Sequence, residues 1–188
     1  MAKPVLQVII GSTRPGRVGS AVADWITGRA IGQGDFEVEV TDLAVLDLPI
    51  FDEPNHPRLR TYVHKHTRDW SAIVDRSDAF VFVIPEYNHS FNAATKNALD
   101  YLSQEWRDKP AGIVSYGGAS GGSRAAQMLA PVLGALQMET VADSVAIPSI
   151  RERLDGDGRL EPDQAMDRAA GAMLAELARR AATVGAAA

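Results

Sequence analysis

Residues 11–20, with the sequence GSTRPGRVGS, follow an apolar run at residues 5–10 and precede a helical pattern. A strand that ends in glycine, serine and arginine just before a helix offers unpaired backbone N–H groups, a positive dipole end and guanidinium groups. All three favour an anion, and phosphate is the natural one. The segment therefore predicts a phosphate-binding loop, with an ordinary turn carrying surface arginines as the alternative.

Two other glycine motifs do not have the residues that their chemistry requires. Gly11 and Gly16 have the spacing of a nucleoside-triphosphate loop, but Arg17 and Val18 follow where that loop needs Lys and then Ser or Thr. Residues 118–122 match Gly-x-Ser-x-Gly, the nucleophile elbow of hydrolases, yet the last histidine, His89, precedes this serine. Because that fold places its acid and histidine after the serine, a catalytic triad is excluded.

Composition limits the chemistry further. The chain has 19 Lys and Arg against 24 Asp and Glu, a net charge of −5 and no cysteine, so nucleic-acid partners, disulfides and thiolate catalysis are not expected. The histidines form no metal-binding pattern, and no metal site is predicted. The sequence shows no apolar run of membrane-spanning length and no leader pattern. A cytoplasmic protein without a membrane partner is therefore expected. Any redox chemistry must come from a cofactor.

Hydrophobic periodicity predicts one α/β domain over residues 1–188. Predicted strands cover residues 5–10, 36–40, 79–84, 111–115 and 140–146. The uninterrupted apolar run at 79–84 indicates a strand buried on both faces, at the centre of a parallel sheet. A helix follows each strand, the second beginning near Leu59 after a long loop at residues 42–57, so the pattern predicts a doubly wound sheet with right-handed crossovers.

Three unusual segments each follow a predicted strand: residues 11–20, 85–90 and 115–122. Because ligands of such sheets bind beyond the carboxyl ends of the strands, these segments are expected to meet at one edge. Glycines in the third segment allow close approach of the backbone. Tyr87 could stack on a flat ligand and Asn88 could hydrogen-bond to it, although a surface tyrosine is the alternative for Tyr87.

The ordered set of motifs resembles the NAD(P)H-dependent FMN reductase family, which has a flavodoxin-like fold. The resemblance depends on Gly-Ser-Thr-Arg after the first strand, Pro-Glu-Tyr-Asn after the third, and Tyr-Gly-Gly-x-x-Gly-Gly-x-Arg-Ala after the fourth. Lys-Asn-Ala-Leu-Asp at residues 96–100 also matches. It implies a five-stranded parallel sheet of order 2-1-3-4-5 with helices on both faces.

The resemblance also implies a set of cofactor contacts. The FMN phosphate would be held by Ser12, Arg14, Arg17, Val18 and Gly19, and the isoalloxazine would be lined by Pro85, Glu86, Tyr87 and Asn88, with Ser115, Gly117 and Gly118 on its other side. Family members commonly carry Ser and Asn at the positions of Arg17 and Gly19, where Arg17 is the candidate replacement. Asn92 stands where proline or glycine is common, and it can cap the following helix.

By the same resemblance, FMN would take a hydride from NADPH or NADH and pass electrons to a small acceptor such as a quinone or free flavin. No catalytic acid or base is expected, because the cofactor carries the chemistry. Backbone N–H groups near Asn88, Gly117 and Gly118 are expected to stabilise the reduced cofactor. The alternatives are a flavodoxin-like electron carrier with protein partners and a binding module without cofactor.

A homodimer or homotetramer is expected on the same basis. Tyr101, Leu102 and Trp106 lie close together in the chain and are a candidate interface. Neighbouring aromatic side chains are equally compatible with a monomer core.

Overall fold

A parallel β-sheet with helices on both faces forms the framework, and the computed structural model describes residues 3–184. The strands are β1 (Val5–Ile10), β2 (Glu37–Asp42), β3 (Ala79–Pro85), β4 (Pro110–Tyr116), β5 (Glu139–Thr140) and β6 (Val145–Ile147). The spatial order is β2-β1-β3-β4-β5, with β6 also paired to β4, and every pairing is parallel. The predicted order 2-1-3-4-5 is confirmed.

The helices are α1 (Gly19–Gln33), α2 (Leu43–Leu46), α3 (Lys65–Asp75), α4 (Ala93–Asp100), α5 (Ser123–Ala135) and α6 (Gln164–Val184). Helices α1 and α6 cover one face of the sheet, where they pack on Leu6, Val8 and Ile10. Helices α3, α4 and α5 cover the other face, because strand side chains alternate between faces. None of the helices within residues 3–184 is both long and apolar enough to cross a bilayer.

Strand β3 occupies the middle of the sheet, and all seven of its residues are buried. The indole of Trp106 packs against Phe80 and Trp70, with ring centroids 5.1 and 5.8 Å away. Trp106 and Tyr101 are fully buried and Leu102 is 1% exposed, so all three belong to the monomer core. The expectation that they form an interface between copies is therefore wrong.

The last predicted strand is divided in two. Strand β5 pairs with the start of β4 and β6 pairs with its end, while residues 142–144 between them are exposed and leave the ladder. The single strand predicted at 140–146 is corrected, since the apolar pattern does not show where pairing with β4 is interrupted. The division brings the end of β6 beside the end of β4.

Helix α3 begins at Lys65, six residues later than predicted from its periodicity. Arg60 has a positive φ of 51° and ends a short 3₁₀ turn at Pro57–Leu59. The buried Glu53 carboxylate then accepts hydrogen bonds from the N–H groups of Val63 and His64 at 2.8 and 3.0 Å. A carboxylate from the preceding loop thus satisfies backbone donors at the helix start, which sequence spacing alone does not reveal.

Candidate functional site

The loops that follow β1, β3 and β4 meet at one edge of the sheet, as predicted. They enclose a cavity of about 250 Å³ that is lined by Arg14, Arg17, Val18, Pro85, Glu86, Tyr87, Tyr116, Gly117, Ile150 and Arg151. A second cavity of about 350 Å³ shares several of these residues and is lined by Gly117, Gly118, Ser149, Ile150, Arg151 and Glu152. The segment after β6 therefore contributes to the site as well.

The first loop turns sharply and leads directly into α1. Arg17 N–H donates to the Arg14 carbonyl at 3.1 Å, and Gly16 has φ +68°, so Pro15 and Gly16 occupy the central positions of a type II turn. Val18 is the N-cap of α1, but it supplies no side-chain cap, and the first turn contains no acidic residue. The first N–H groups of α1 and the positive end of its dipole are therefore left for an anion.

Two buried hydroxyl groups face the first residue of α1. Ser12 is fully buried and Tyr116 is 4% exposed; their hydroxyl groups are neighbours, but neither forms a hydrogen bond of normal geometry within residues 3–184. A Cβ at Gly19 would lie 2.5 Å from Ser12 Oγ and 2.8 Å from Tyr116 Oη. A buried hydroxyl without a partner is costly, so a ligand that accepts a hydrogen bond from Ser12 fits the site. Burial raises the pKa of Tyr116 to about 12, which keeps its hydroxyl protonated as a donor.

The arginines of the first loop differ in their contacts. Arg17 is half-buried, and its guanidinium donates to the Ser12 carbonyl at 2.8 Å and to Asp42 Oδ1 at 2.9 Å. It is thus already engaged with the end of β2, where Asp42 also caps α2. Arg14 is exposed and forms no ion pair within residues 3–184. Arg14 is consequently available to a ligand, whereas Arg17 holds the loop in place.

The base of the first loop is fastened to α4. Asn92 Nδ2 donates to the Gly11 carbonyl at 2.6 Å, and Asn92 Oδ1 accepts from Thr95 Oγ1 at 2.9 Å. Asn92 does stand at the N-cap of α4, but its side chain makes no capping bond to the helix backbone. The expected capping role is wrong, because the side chain instead hydrogen-bonds to the loop after β1. Gly11 is required here, since a Cβ would lie 2.4 Å from Thr95 Oγ1.

The loop after β3 is a tight turn closed by two backbone hydrogen bonds between Tyr87 and Ser90, at 2.8 and 3.0 Å. Both central residues have positive φ, 50° at Asn88 and 67° at His89, as a type I′ turn requires. The turn leaves Tyr87 37% exposed at the rim of the first cavity. Asn88 is exposed and is not part of the cavity wall.

Glu86 joins the second loop to the third. Its carboxylate accepts hydrogen bonds from Ser120 Oγ at 3.0 Å and from the Arg124 guanidinium at 2.8 Å. Burial alone would raise the pKa of Glu86, but these hydrogen bonds and the Arg124 charge hold the pKa below its usual value. The serine of the Gly-x-Ser-x-Gly motif therefore hydrogen-bonds to a carboxylate.

The glycine loop after β4 folds back on its own strand. A Cβ at Gly122 would lie 2.6 Å from Tyr116 N, so close packing requires glycine there. Ser115 Oγ donates to the Gly121 carbonyl at 3.0 Å, and Gly117 N–H donates to the Ile147 carbonyl at 3.3 Å. The Ser115 hydroxyl and the Gly117 N–H thus form hydrogen bonds that stabilise the loop. The side chain of Ser115 is buried and lines neither cavity.

The structure brings most of the predicted residues together. Those that line the first cavity are Arg14, Arg17, Val18, Pro85, Glu86, Tyr87 and Gly117. Ser12 and Gly19 lie beneath them and Gly118 lines the second cavity. Sequence reasoning missed Tyr116 and Arg151 as wall residues and Asp42 as the partner of Arg17. Inspection of the residues after β6 would have indicated Arg151, by the same rule that found the other three loops.

A doubly wound parallel sheet with an anion-binding helix start and a glycine loop at the same edge defines a flavodoxin-like, mononucleotide-binding class of protein. The family model of the NADPH-dependent FMN reductases matches residues 5–152. An NAD(P)H-dependent FMN reductase of Schizosaccharomyces pombe is 38% identical over 153 residues, covering 80% of this chain and 76% of that relative. An NAD(P)H:quinone oxidoreductase of Solanum tuberosum is 31% identical over 136 residues, covering 65% of this chain and 64% of that relative.

The fold has close structural counterparts as well. The flavoenzyme NAD(P)H:(acceptor) oxidoreductase FerB from Paracoccus denitrificans aligns with a TM-score of 0.76 at 20% identity, covering 96% of this chain and 98% of that one. At this identity the likeness shows the fold alone. The chain belongs to the NADPH-dependent FMN reductase family. The family, the oxidoreductase class and the FMN and NAD(P)H dependence expected from the motifs are thereby confirmed.

Proposed function

We propose that the first cavity holds FMN and that NAD(P)H and a small electron acceptor, such as a quinone or free flavin, bind in turn beside it. The observation that carries the proposal is the buried, unpartnered Ser12 hydroxyl beside Gly19, at a helix start without a cap. FMN, when bound, supplies the chemistry of accepting a hydride from NAD(P)H and passing electrons on to the acceptor. The names of the relatives support the acceptor class.

The chain's own residues bind and orient in this proposal. Ser12, Arg14 and the N–H groups at the start of α1 hold the phosphate, and Arg17 fixes the loop through Asp42. Tyr87 and the backbone of Pro85 and Glu86 form the wall for the flat ring, with the glycine loop opposite. Gly118 N–H remains the candidate donor to the ring, because Gly117 N–H is bonded to Ile147.

Absorbance spectroscopy tests the proposed function directly. The purified protein, titrated with FMN, is expected to bind one equivalent, and anaerobic NADPH is expected to bleach the bound cofactor within the dead time of manual mixing. Bleaching without a protein partner separates the enzyme from the alternative electron carrier. Absence of any FMN binding would contradict the proposal.

Arg14 and Arg17 are expected to respond differently to removal. Arg14→Ala should weaken FMN binding at least about tenfold, as loss of one charge-assisted hydrogen bond implies, while the melting temperature of the apoprotein stays unchanged. Arg17→Ala should lower both the affinity for FMN and the melting temperature of the apoprotein, because the ion pair of Arg17 with Asp42 holds two loops together. Fluorescence titration of FMN and thermal melts of the apoproteins measure the two effects. An unchanged FMN Kd in Arg14→Ala would refute its role as a phosphate ligand.

We further propose that the protein forms a homo-oligomer through the surface between α2 and α4. Val45 and Ile50 are 80% and 83% exposed, and Phe51 is 37% exposed. Ile50 lines a cavity of about 450 Å³ together with Ala93 and Ala94 of α4. A second copy is the proposed occupant, since exposed apolar side chains grouped beside a groove are typical of protein interfaces. The homo-oligomer and the cytoplasmic location stay predictions, and the sequence does not decide between dimer and tetramer or between NADH and NADPH.

A charge within this surface should separate the copies. Ile50→Asp is expected to give a monomer in light scattering at concentrations where the wild type is oligomeric, because association would bury the new carboxylate. Ile31→Asp is the matched control, since Ile31 is 62% exposed on α1, outside the surface between α2 and α4. A wild type that scatters as a monomer, or an Ile50→Asp variant that stays oligomeric, would contradict the proposal.

A further inference from the structure

Two arginines at the cofactor edge are not neutralised by a carboxylate of the described residues. Arg14 and Arg151 both line the first cavity, and neither side chain forms an ion pair within the described part of the chain. The other nearby arginines are already neutralised, Arg17 by Asp42 and Arg124 by Glu86. Two positive charges are thus available to ligands at this edge, and Glu152 adds one negative charge at the second cavity.

The two arginines stand on different elements. Arg14 belongs to the loop before α1, beside Ser12 and the uncapped helix start, which is the proposed seat of the FMN phosphate. Arg151 belongs to the short 3₁₀ turn Ile150–Arg153 after β6. Arg151 also lines the second cavity, whereas Arg14 does not. The position of Arg151 therefore suits a second anionic group.

The backbone around Arg151 is held in place by the glycine loop. Ile150 N–H donates to the Gly117 carbonyl at 3.1 Å, and Ser149 N–H donates to the Gly118 carbonyl at 3.0 Å. In the same turn, the Arg153 guanidinium donates to the Pro148 carbonyl at 3.1 Å and to Asp163 at 2.8 Å. Arg151 brings its positive charge to both cavities on a preorganised support, whereas Glu152 of the same turn lines only the second cavity.

We infer that Arg151 binds the 2′-phosphate of NADPH and makes the enzyme prefer NADPH to NADH. The inference rests on the proposed function, since it places the nicotinamide cosubstrate beside the FMN site. A phosphomonoester carries about −1.5 to −2 charges at neutral pH and three acceptor oxygens, which a guanidinium can bind through two parallel hydrogen bonds. NADH differs from NADPH only in lacking this 2′-phosphate, so an arginine that binds the phosphate favours NADPH over NADH.

Steady-state kinetics of Arg151→Ala with each nicotinamide test the inference. KM for NADPH is expected to rise about 10- to 100-fold, as loss of hydrogen bonds to a charged group implies, with KM for NADH changed less than about twofold. Arg151→Lys should retain part of the NADPH preference, because it keeps the charge without the planar fork. Arg159→Ala is the matched control, since the Arg159 side chain is 79% exposed and paired with Asp157 outside both cavities.

A binding measurement gives a readout independent of turnover. In calorimetric titrations of the FMN-loaded protein, adenosine 2′,5′-bisphosphate should bind more tightly than AMP to the wild type and lose that advantage in Arg151→Ala. Glu152→Gln should strengthen binding of the bisphosphate, because Glu152 places a negative charge at the second cavity. If Arg151→Ala binds FMN with normal absorbance and keeps the wild-type ratio of KM for NADPH to KM for NADH, the inference is overturned and the proposed function is not affected. A wild type that binds no FMN would overturn the proposed function and the inference together.

Discussion

Replacing Gly19 with alanine is expected to weaken FMN binding by at least about 100-fold, the equivalent of two hydrogen bonds to a charged group at roughly 1.5 kcal/mol each. The new methyl group would lie 2.5 Å from Ser12 Oγ, 2.8 Å from Tyr116 Oη and 3.3 Å from Ile10 Cγ2. Relief of these contacts must move the Ser12 hydroxyl or the start of α1, so the donors no longer converge on one phosphate. Fluorescence titration of the apoprotein with FMN measures the loss.

Gly28→Ala is the matched control for this variant. Gly28 lies in the same helix and is exposed, and a methyl group there would have no neighbouring atom within 4 Å, so alanine should leave FMN affinity unchanged and stabilise α1 by about 0.5–1 kcal/mol. Ser12→Ala provides a second test without steric conflict, because it removes the unpartnered hydroxyl and should weaken FMN binding about tenfold while the apoprotein stays folded. Wild-type affinity in Gly19→Ala and Ser12→Ala would place the phosphate elsewhere.

Trp106→Ala should cause the largest loss of stability, about 3–5 kcal/mol in the free energy of unfolding. The indole is fully buried between Phe80 and Trp70, and its N–H donates to the Leu99 carbonyl at 3.3 Å. Alanine would leave a large cavity in the core beneath α3 and α4 and would remove one hydrogen bond to the Leu99 carbonyl, which keeps the bond from Leu102 N–H at 3.4 Å. Urea unfolding of wild type and variant, followed by far-UV circular dichroism, measures the difference.

Met128→Ala serves as the comparison, since Met128 lies on α5 with 52% of its surface exposed and should change stability by no more than about 0.5 kcal/mol. The same pair of variants distinguishes a core residue from an interface residue. If Trp106→Ala dissociated an oligomer while its monomer kept wild-type stability, the placement of Trp106 in the monomer core would be wrong.

Much of the fold could be predicted because its determinants are local. The uninterrupted apolar run of β3 requires burial on both faces. Helix α1 ends just before Gly34, whose φ of +85° is readily adopted by glycine. The alternation of strands with helices then leaves a parallel sheet as the outcome. The start of α3 was predicted incorrectly, because it depends on the Glu53 carboxylate, which is distant in the chain. The interruption between β5 and β6 was not predicted, because it depends on the pairing of β6 with β4.

The same division applies to the site. The sequence by itself determined which loops carry the chemistry, since glycines, hydroxyls and arginines directly after parallel strands must lie at the carboxyl edge of the sheet. Only the tertiary structure decided how the individual side chains are used: Arg17 pairs with Asp42, Asn92 holds Gly11, and Arg151 enters from the segment after β6. Hydrogen bonds and ion pairs between side chains are short-range, so they depend on distances that exist only after the strands have paired and the loops have met.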